Sequence, residues 1–250
     1  MSIWGKIIGS AAGFALGGPL GALLGGLAGH AVDALAAGGA APGLRREHVG
    51  RDQTRRIAFT VGVIVLGAKM AKADGRVTTD EIQAFREVFH VPESEVEQVG
   101  RIFNRAKEEA GGFEPYAAQI KAVLGDDMTL LEELLDGLFH IAKADAVIHQ
   151  AEITFLEDVA RIFGFSEAEF AAIRASHLGP DQSDPYTILG ATRAMDEAAL
   201  KAAYRKLVRE HHPDTLIAKG MPEEFVKVAT ERLAQINAAW EKIAKERGIR

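Results

Sequence analysis

From Ile7 to Gly29 no side chain is charged, and glycine returns at every fourth position: Gly5, Gly9, Gly13, Gly17, Gly21, Gly25 and Gly29. An apolar run of about 20 residues is long enough to span a bilayer as a helix. On a helix each fourth residue overshoots a full turn by about 40°, so the glycines form a slowly drifting bare stripe. Hydrocarbon supplies no hydrophobic force between helices, and close approach through small residues is what lets them pack. The pattern predicts a transmembrane glycine-zipper anchor over residues 1–32 that pairs two copies into a homodimer. Pro19 lies mid-run, where neighbouring helices can satisfy the carbonyl it frees. Three other readings compete: a flexible Gly/Ala-rich tail, a hairpin broken at Gly18-Pro19, and a cleaved signal peptide ending near Ala34-Leu35-Ala36. The apolar part of a signal peptide is shorter than this run.

Residues 33–56 read as a linker, with Ala37-Gly38-Gly39-Ala40-Ala41-Pro42-Gly43 carrying no periodicity and several breakers. The charges around the run are asymmetric. Lys6 alone precedes it, whereas Arg45, Arg46, Arg51, Arg55 and Arg56 follow, against Glu47 and Asp52. The positive-inside rule places the C-terminal bulk in the cytoplasm after a single pass. The same arginines can touch anionic lipid or serve only as a topology signal.

Ile57 to Met70 is apolar again. It is too short for a second span before Lys69 and Lys72, and it reads as a buried core helix. Two later stretches then look alike. Ala71-Lys72-Ala73-Asp74-Gly75-Arg76-Val77 is followed by Glu81-Ile82 and Phe85. Ala142-Lys143-Ala144-Asp145-Ala146-Val147-Ile148 is followed by Glu152-Ile153 and Leu156, at a constant offset of 71 residues. A fixed offset marks internal duplication. Each copy ends one helix, turns at its aspartate and starts another near its glutamate. Residues 93–109 and 113–138 show helical spacing broken at Gly111-Gly112 and Gly125-Asp126. The prediction is an all-α unit of six or seven helices over residues 57–175.

The pairs Asp74/Glu81 and Asp145/Glu152 have two readings. Their carboxylates can converge on a hard divalent cation. Alternatively, Thr78-x-x-Glu81 is a capping box and Asp74-Gly75 an ordinary turn pair. Residues 69–182 net −11, which suits a cation or a basic partner and equally a solvated face.

After a connector at 176–183, Asp184-Pro185-Tyr186 opens a brief helix, with the aspartate as cap and proline in the first turn. Asp196 caps a longer helix with Leu200, Ala203, Tyr204 and Leu207 on one face. Lys201, Arg205 and Arg209 run along the other at i+4 spacing, with Lys206 beside them. His212-Pro213-Asp214 ends that helix, because the residue before a proline is pushed out of helical geometry. Residues 222–246 form a last helix with Ala229, Leu233, Ile236, Ala239, Trp240 and Ile243 inward. Two antiparallel helices with an exposed corner between them make a binding module. No nucleophile–base pair and no phosphate-cradling glycine loop stands in this segment, so it does not read as an enzyme.

Composition narrows the picture further. The 250-residue chain is 48% hydrophobic, nets −6 and has no cysteine. That excludes disulfides, thiolate zinc sites and a cysteine nucleophile. The acidic balance argues against a whole-chain nucleic-acid binder.

The duplicated Lys-Ala-Asp helix pair resembles the TerB-like (tellurite-resistance B) domain, which implies an all-helical fold and acidic residues as metal ligands. The second copy departs from it, since Ala146 and Val147 stand where the first has Gly75 and Arg76. The ordered set Asp184-Pro185-Tyr186…Leu189-Gly190, Leu200-x3-Tyr204-Arg205-Lys206-Leu207, His212-Pro213-Asp214 and Ile236-Asn237-Ala238-Ala239-Trp240 closely resembles a J domain over residues 184–250. That resemblance implies docking on a DnaK-type ATPase chaperone. Lys201, Arg205, Lys206 and Arg209 would meet an acidic chaperone surface. Asp214 would act as the charged trigger of ATP hydrolysis, and His212 and Pro213 would hold the loop shape. The order of anchor, TerB-like unit and J domain resembles the DjlA family of membrane-anchored DnaJ-like proteins of Gram-negative bacteria. It implies an inner-membrane co-chaperone without cofactor, except for a divalent cation in the TerB-like unit. The resemblance also marks Thr215 as a departure, because the family loop usually has lysine there. The alternative is a metal-responsive envelope-stress sensor that uses the acidic unit, with the J domain as its output.

Overall fold

A computed structural model describes residues 18–22, 51–73, 96–109, 111–143, 148–178 and 181–249. Among them the regular structure is helical, with no strand. Residues 18–22 are helical and begin at Gly18, whose φ of 55° lies in the left-handed region directly before Pro19. That is where the hairpin reading of the apolar run places its break. Leu20 is buried, and its backbone N–H donates to Gln119 Oε1 at 2.8 Å. Of the predicted pairing stripe, Gly5, Gly9, Gly13, Gly17, Gly25 and Gly29 lie outside the described residues, and Gly21, which lies among them, is buried. No helix among the described residues is long and apolar enough to cross a membrane.

The TerB-like unit is built around α1 (Arg51–Ala73). Every residue from Ile57 to Ala71 on it is buried, because other helices wrap it on all sides. These are α2 (Val96–Glu108), α3 (Glu114–Leu124), α4 (Met128–Ala142) and α5 (Gln150–Phe163). The expectation of a core helix rather than a second span holds. Lys69 is buried among these apolar neighbours, and its ammonium donates to Glu109 O at 3.0 Å and Gly111 O at 2.6 Å. A buried ammonium needs such partners.

Helix α1 begins at Arg51, inside the span read as linker. Two of the arginines expected to face lipid or signal topology are engaged in the fold. Arg55 Nη2 donates to Leu124 O at 2.9 Å and lies 3.4 Å from Asp127 Oδ2, and Arg56 Nη2 reaches Ile217 O at 3.5 Å. The break expected at Gly125-Asp126 is present. Gly125 has φ 73°, and Asp127 starts α4 by accepting from Leu130 N–H. Gly164 ends α5 with φ 97°, and α6 (Glu167–Leu178) closes the unit.

The C-terminal segment is a second, smaller core. Helix α7 (Pro185–Ile188) is capped by the Asp184 side chain, which accepts from Tyr186 N–H. Helix α8 (Glu197–Glu210) is capped by Asp196, which accepts from Ala199 N–H at 2.7 Å. Beyond His212 the chain forms a short helix, α9 (Pro213–Lys219), where only a turn was expected. Pro213 suits the first helical position because its missing N–H has no partner there anyway. A 3₁₀ turn at Glu223–Phe225 leads into α10 (Val226–Arg247). Tyr186, Ile188, Leu189, Leu200, Ile236, Ala239 and Ile243 pack together, and Tyr204 stacks on Trp240 with ring centroids 4.8 Å apart.

The two units share a third body of packing. Leu216 of α9, with Met221 and Phe225 from the α9–α10 connection, is fully buried in the TerB-like core. The Phe225 ring meets Phe59 edge-on at 4.8 Å. Gly137 makes room for it, since a Cβ there would lie 3.1 Å from Phe225 Cε1.

Candidate functional site

The His-Pro-Asp corner stands where α8 stops. The α8 cap is His211, and His212 takes extended backbone geometry (φ −68°, ψ 129°), as a residue before proline must. The His212 Nδ1 accepts from Asp214 N–H at 3.2 Å, so the imidazole caps α9 and is held against the turn. Asp214 follows in the first turn, where the helix dipole favours a carboxylate. Its side chain is 89% exposed, and that of His212 is 49% exposed. An acid this open is a contact waiting for a cation.

The basic face predicted on α8 lies beside the corner. Arg205, Lys206 and Arg209 are exposed, and Lys201 is partly covered through a 2.5 Å ion pair with Glu197. Tyr204, Arg205, Val208, Arg209, His212 and Thr215 line one shallow depression. The structure therefore brings together the helix face, the corner and the departing residue Thr215. What this surface presents is exposed charge beside a shallow depression.

The proposed cation ligands are not assembled among the described residues. Asp74, Glu81 and Asp145 lie outside them. Glu152 is buried, and its Oε2 accepts from His149 N–H at 2.8 Å, the reciprocal half of a capping box at the start of α5. The structural reading offered for Glu81 is thus the one seen at its counterpart. No group of three or more His, Cys, Asp or Glu among the described residues is placed to hold a metal.

Sequence reasoning missed the residues directly behind the corner. His211 is 1% exposed, and its Nδ1 lies 2.8 Å from Glu133 Oε1 of α4. Arg232 of α10 is also buried; its Nη2 donates to Glu132 Oε1 at 2.6 Å, and its Nε lies 3.7 Å from Asp136 Oδ2. Asp136 Oδ1 is 2.5 Å from His177 Nε2 on α6, and His140 Nδ1 is 3.2 Å from Glu231 Oε2. A signal existed: Arg232 lies on the inward stripe between Ala229 and Ile236. Glu133 and Asp136 likewise interrupt an otherwise apolar run in α4.

Three family models cover most of the chain. Residues 1–53 match the DjlA co-chaperone transmembrane domain, residues 60–175 the tellurite resistance protein TerB, and residues 184–248 the DnaJ domain. Curated relatives called co-chaperone protein DjlA align end to end. The Photobacterium profundum protein is 32% identical over 99% of this chain and 100% of its own length. The Vibrio cholerae protein is 34% identical, with both chains fully covered. The Shewanella oneidensis protein is 32% identical, again with both fully covered. No solved structure matches the chain. An exposed His-Pro-Asp corner beside a basic helix, carried on a TerB-like unit behind a matching anchor segment, places this chain in the DjlA family of co-chaperones.

Proposed function

We propose that this chain recruits a DnaK-type chaperone to the bacterial inner membrane and accelerates its ATP hydrolysis. Residues 1–32 anchor it in a single pass, two copies pair along the glycine stripe, and the bulk faces the cytoplasm. Arg205, Lys206 and Arg209, with Lys201 at the edge, meet an acidic surface of the chaperone. Asp214 engages a cation there, while His212 and Pro213 hold the angle at which it is offered. The hydrolytic groups belong to the partner, so the chain stimulates an enzyme without being one.

The observation that carries this reading is the open carboxylate of Asp214 at the end of a basic helix face. The test is single-turnover ATP hydrolysis by a DnaK-type chaperone with the full chain in nanodiscs. Wild type is expected to accelerate the turnover, and His212→Gln to lose the acceleration. Equal rates with the two proteins would overturn the proposal.

A further inference from the structure

Between the two units lies a group of charges that the co-chaperone reading does not use. His211 sits immediately before the His-Pro-Asp corner and is enclosed by α4 and α10. Facing it are Glu132 and Glu133 from α4 and Arg232 from α10, with Asp136 one turn further along α4. Beyond Asp136 stand His177, then the His140–Glu231 pair. Burying this many charges is expensive unless each is paired. Here the pairing is incomplete: Glu133 Oε2 and Asp136 Oδ2 have no hydrogen-bond partner among the described residues. A cavity of about 50 Å³ lined by Asp136, His140, His177 and Arg232 borders the cluster. It has room for water between polar walls.

We propose that the TerB-like unit and the J unit are joined by a proton-dependent latch, in which His211 and Arg232 are gripped by Glu132, Glu133 and Asp136, and that the latch sets how rigidly the His-Pro-Asp corner is presented. The geometry makes α4 the receiver and the end of α8 with the middle of α10 the bolt. Phe225, seated over Gly137 against Phe59, is the apolar half of the same joint.

Protonation tightens the latch. Burial pulls the His211 imidazolium down, but the carboxylates of Glu132 and Glu133 outweigh it and hold its pKa above the ordinary value. Burial pushes the Glu133 carboxyl up to about 7, against the pull of its hydrogen bond to His211. Both groups bind a proton more tightly docked than free. The Glu133 contribution to docking is therefore complete only below the ordinary carboxyl range and is lost as pH rises to about 7, and the His211 contribution is lost as pH rises beyond the ordinary imidazole range. Asp136 works the other way. Burial raises it, but Arg232 and His177 together outweigh that and hold it below the usual carboxylate range. Its contribution is lost only on strong acidification. The latch is tightest at acidic pH and loosens as pH rises through neutrality.

The consequence for a chaperone rests on the function proposed above, whereas the latch itself does not. The chain has no cysteine, so spin labels can be placed at Glu157→Cys on α5 and Glu241→Cys on α10, both exposed positions. The distance distribution is read by pulsed electron resonance on the full chain in nanodiscs, with helicity followed in parallel. The distribution is expected to be narrow at about pH 6 and broad by about pH 8.5, with its midpoint near neutrality and helicity retained. Glu133→Gln keeps a hydrogen-bonding group facing His211 without needing a proton, and it is expected to broaden less than wild type, because only His211, still facing Glu132, is left to titrate. A wild-type distribution unchanged with pH would overturn the latch, as would Glu133→Gln tracking wild type or broadening that accompanies lost helicity. Chaperone stimulation is measured on the same samples. A pH-dependent distance without stimulation leaves the latch standing and removes the co-chaperone reading; stimulation with a pH-invariant distance does the reverse.

Discussion

The His-Pro-Asp corner and the buried clasp behind it are built from adjacent residues, yet their surroundings are opposite. His212 is half exposed and spends its Nδ1 on the backbone of Asp214. His211 is enclosed and faces two glutamates of another unit. The proline-forced turn separates them, because it ends α8 and sends one imidazole outward while its neighbour stays against α4. The corner is open charge held by local geometry, so changing it alters what a partner meets and leaves the fold in place. The clasp is closed charge held by distant residues, so changing it disturbs the fold and leaves the corner's chemistry untouched. A buried ionic group is weak evidence for stability in itself. Its value here is that it fixes which way the exposed residues point.

That contrast is broken most forcefully from the buried side. Arg232→Ala leaves the half-buried Glu132 and the buried Asp136 without that cation and is expected to destabilise the chain by about 3–5 kcal/mol. Phe225→Ala empties the pocket between Phe59 and Gly137 at a similar cost, about 3–5 kcal/mol. Urea unfolding monitored by helicity measures both. Raising the pH from mildly acidic to alkaline should weaken both chains further, since His211 and Glu133 are still present to titrate, and the Arg232→Ala chain at least as much, because His211 has lost a cation that lowers its pKa. A small loss for Arg232→Ala would mean that the carboxylates find water instead, and that the clasp contributes little.

Much of this was legible in the chain before any coordinates. The caps at Asp184 and Asp196, the breaks at Gly111-Gly112 and Gly125-Asp126, and the exposed corner all follow from local rules about proline, glycine and short polar side chains. The buried run of α1 followed from its length and from the two lysines that end it. What escaped was whatever depended on two distant segments meeting. Nothing local distinguishes a glutamate such as Glu133 that faces solvent from one that faces a histidine 78 residues away. For the same reason Arg55 and Arg56 read as lipid-facing charges or as a topology signal, while Asp127 and Ile217 O engage them from the two units. Helix α9 was missed because seven residues are too few to show a periodicity.

A middle case lies between corner and clasp. The Asp196 carboxylate accepts from Ala199 N–H and starts the helix that carries the basic face. Asp196→Ala is expected to cost about 1 kcal/mol by calorimetry. It should also fray the first turn, which holds Glu197 and reaches toward Lys201. Chaperone affinity is expected to fall slightly, through looser placement of Lys201 alone.

The smallest effect on the fold is expected where the effect on function is total. Asp214→Asn keeps the size and shape of the side chain and removes its charge. The carboxylate is almost fully exposed, so nothing buried changes, and the favourable dipole term at the start of α9 is screened by water. Unfolding should shift by no more than about 0.5 kcal/mol, the range of ordinary surface substitutions. Stimulation of the chaperone should nevertheless disappear, because the amide offers a partner cation no net charge to pair with. Stability and stimulation falling together would mean that the corner, like the clasp, is part of what holds the molecule up. The separation between a rigid base and a disposable tip would then fail at its sharpest point.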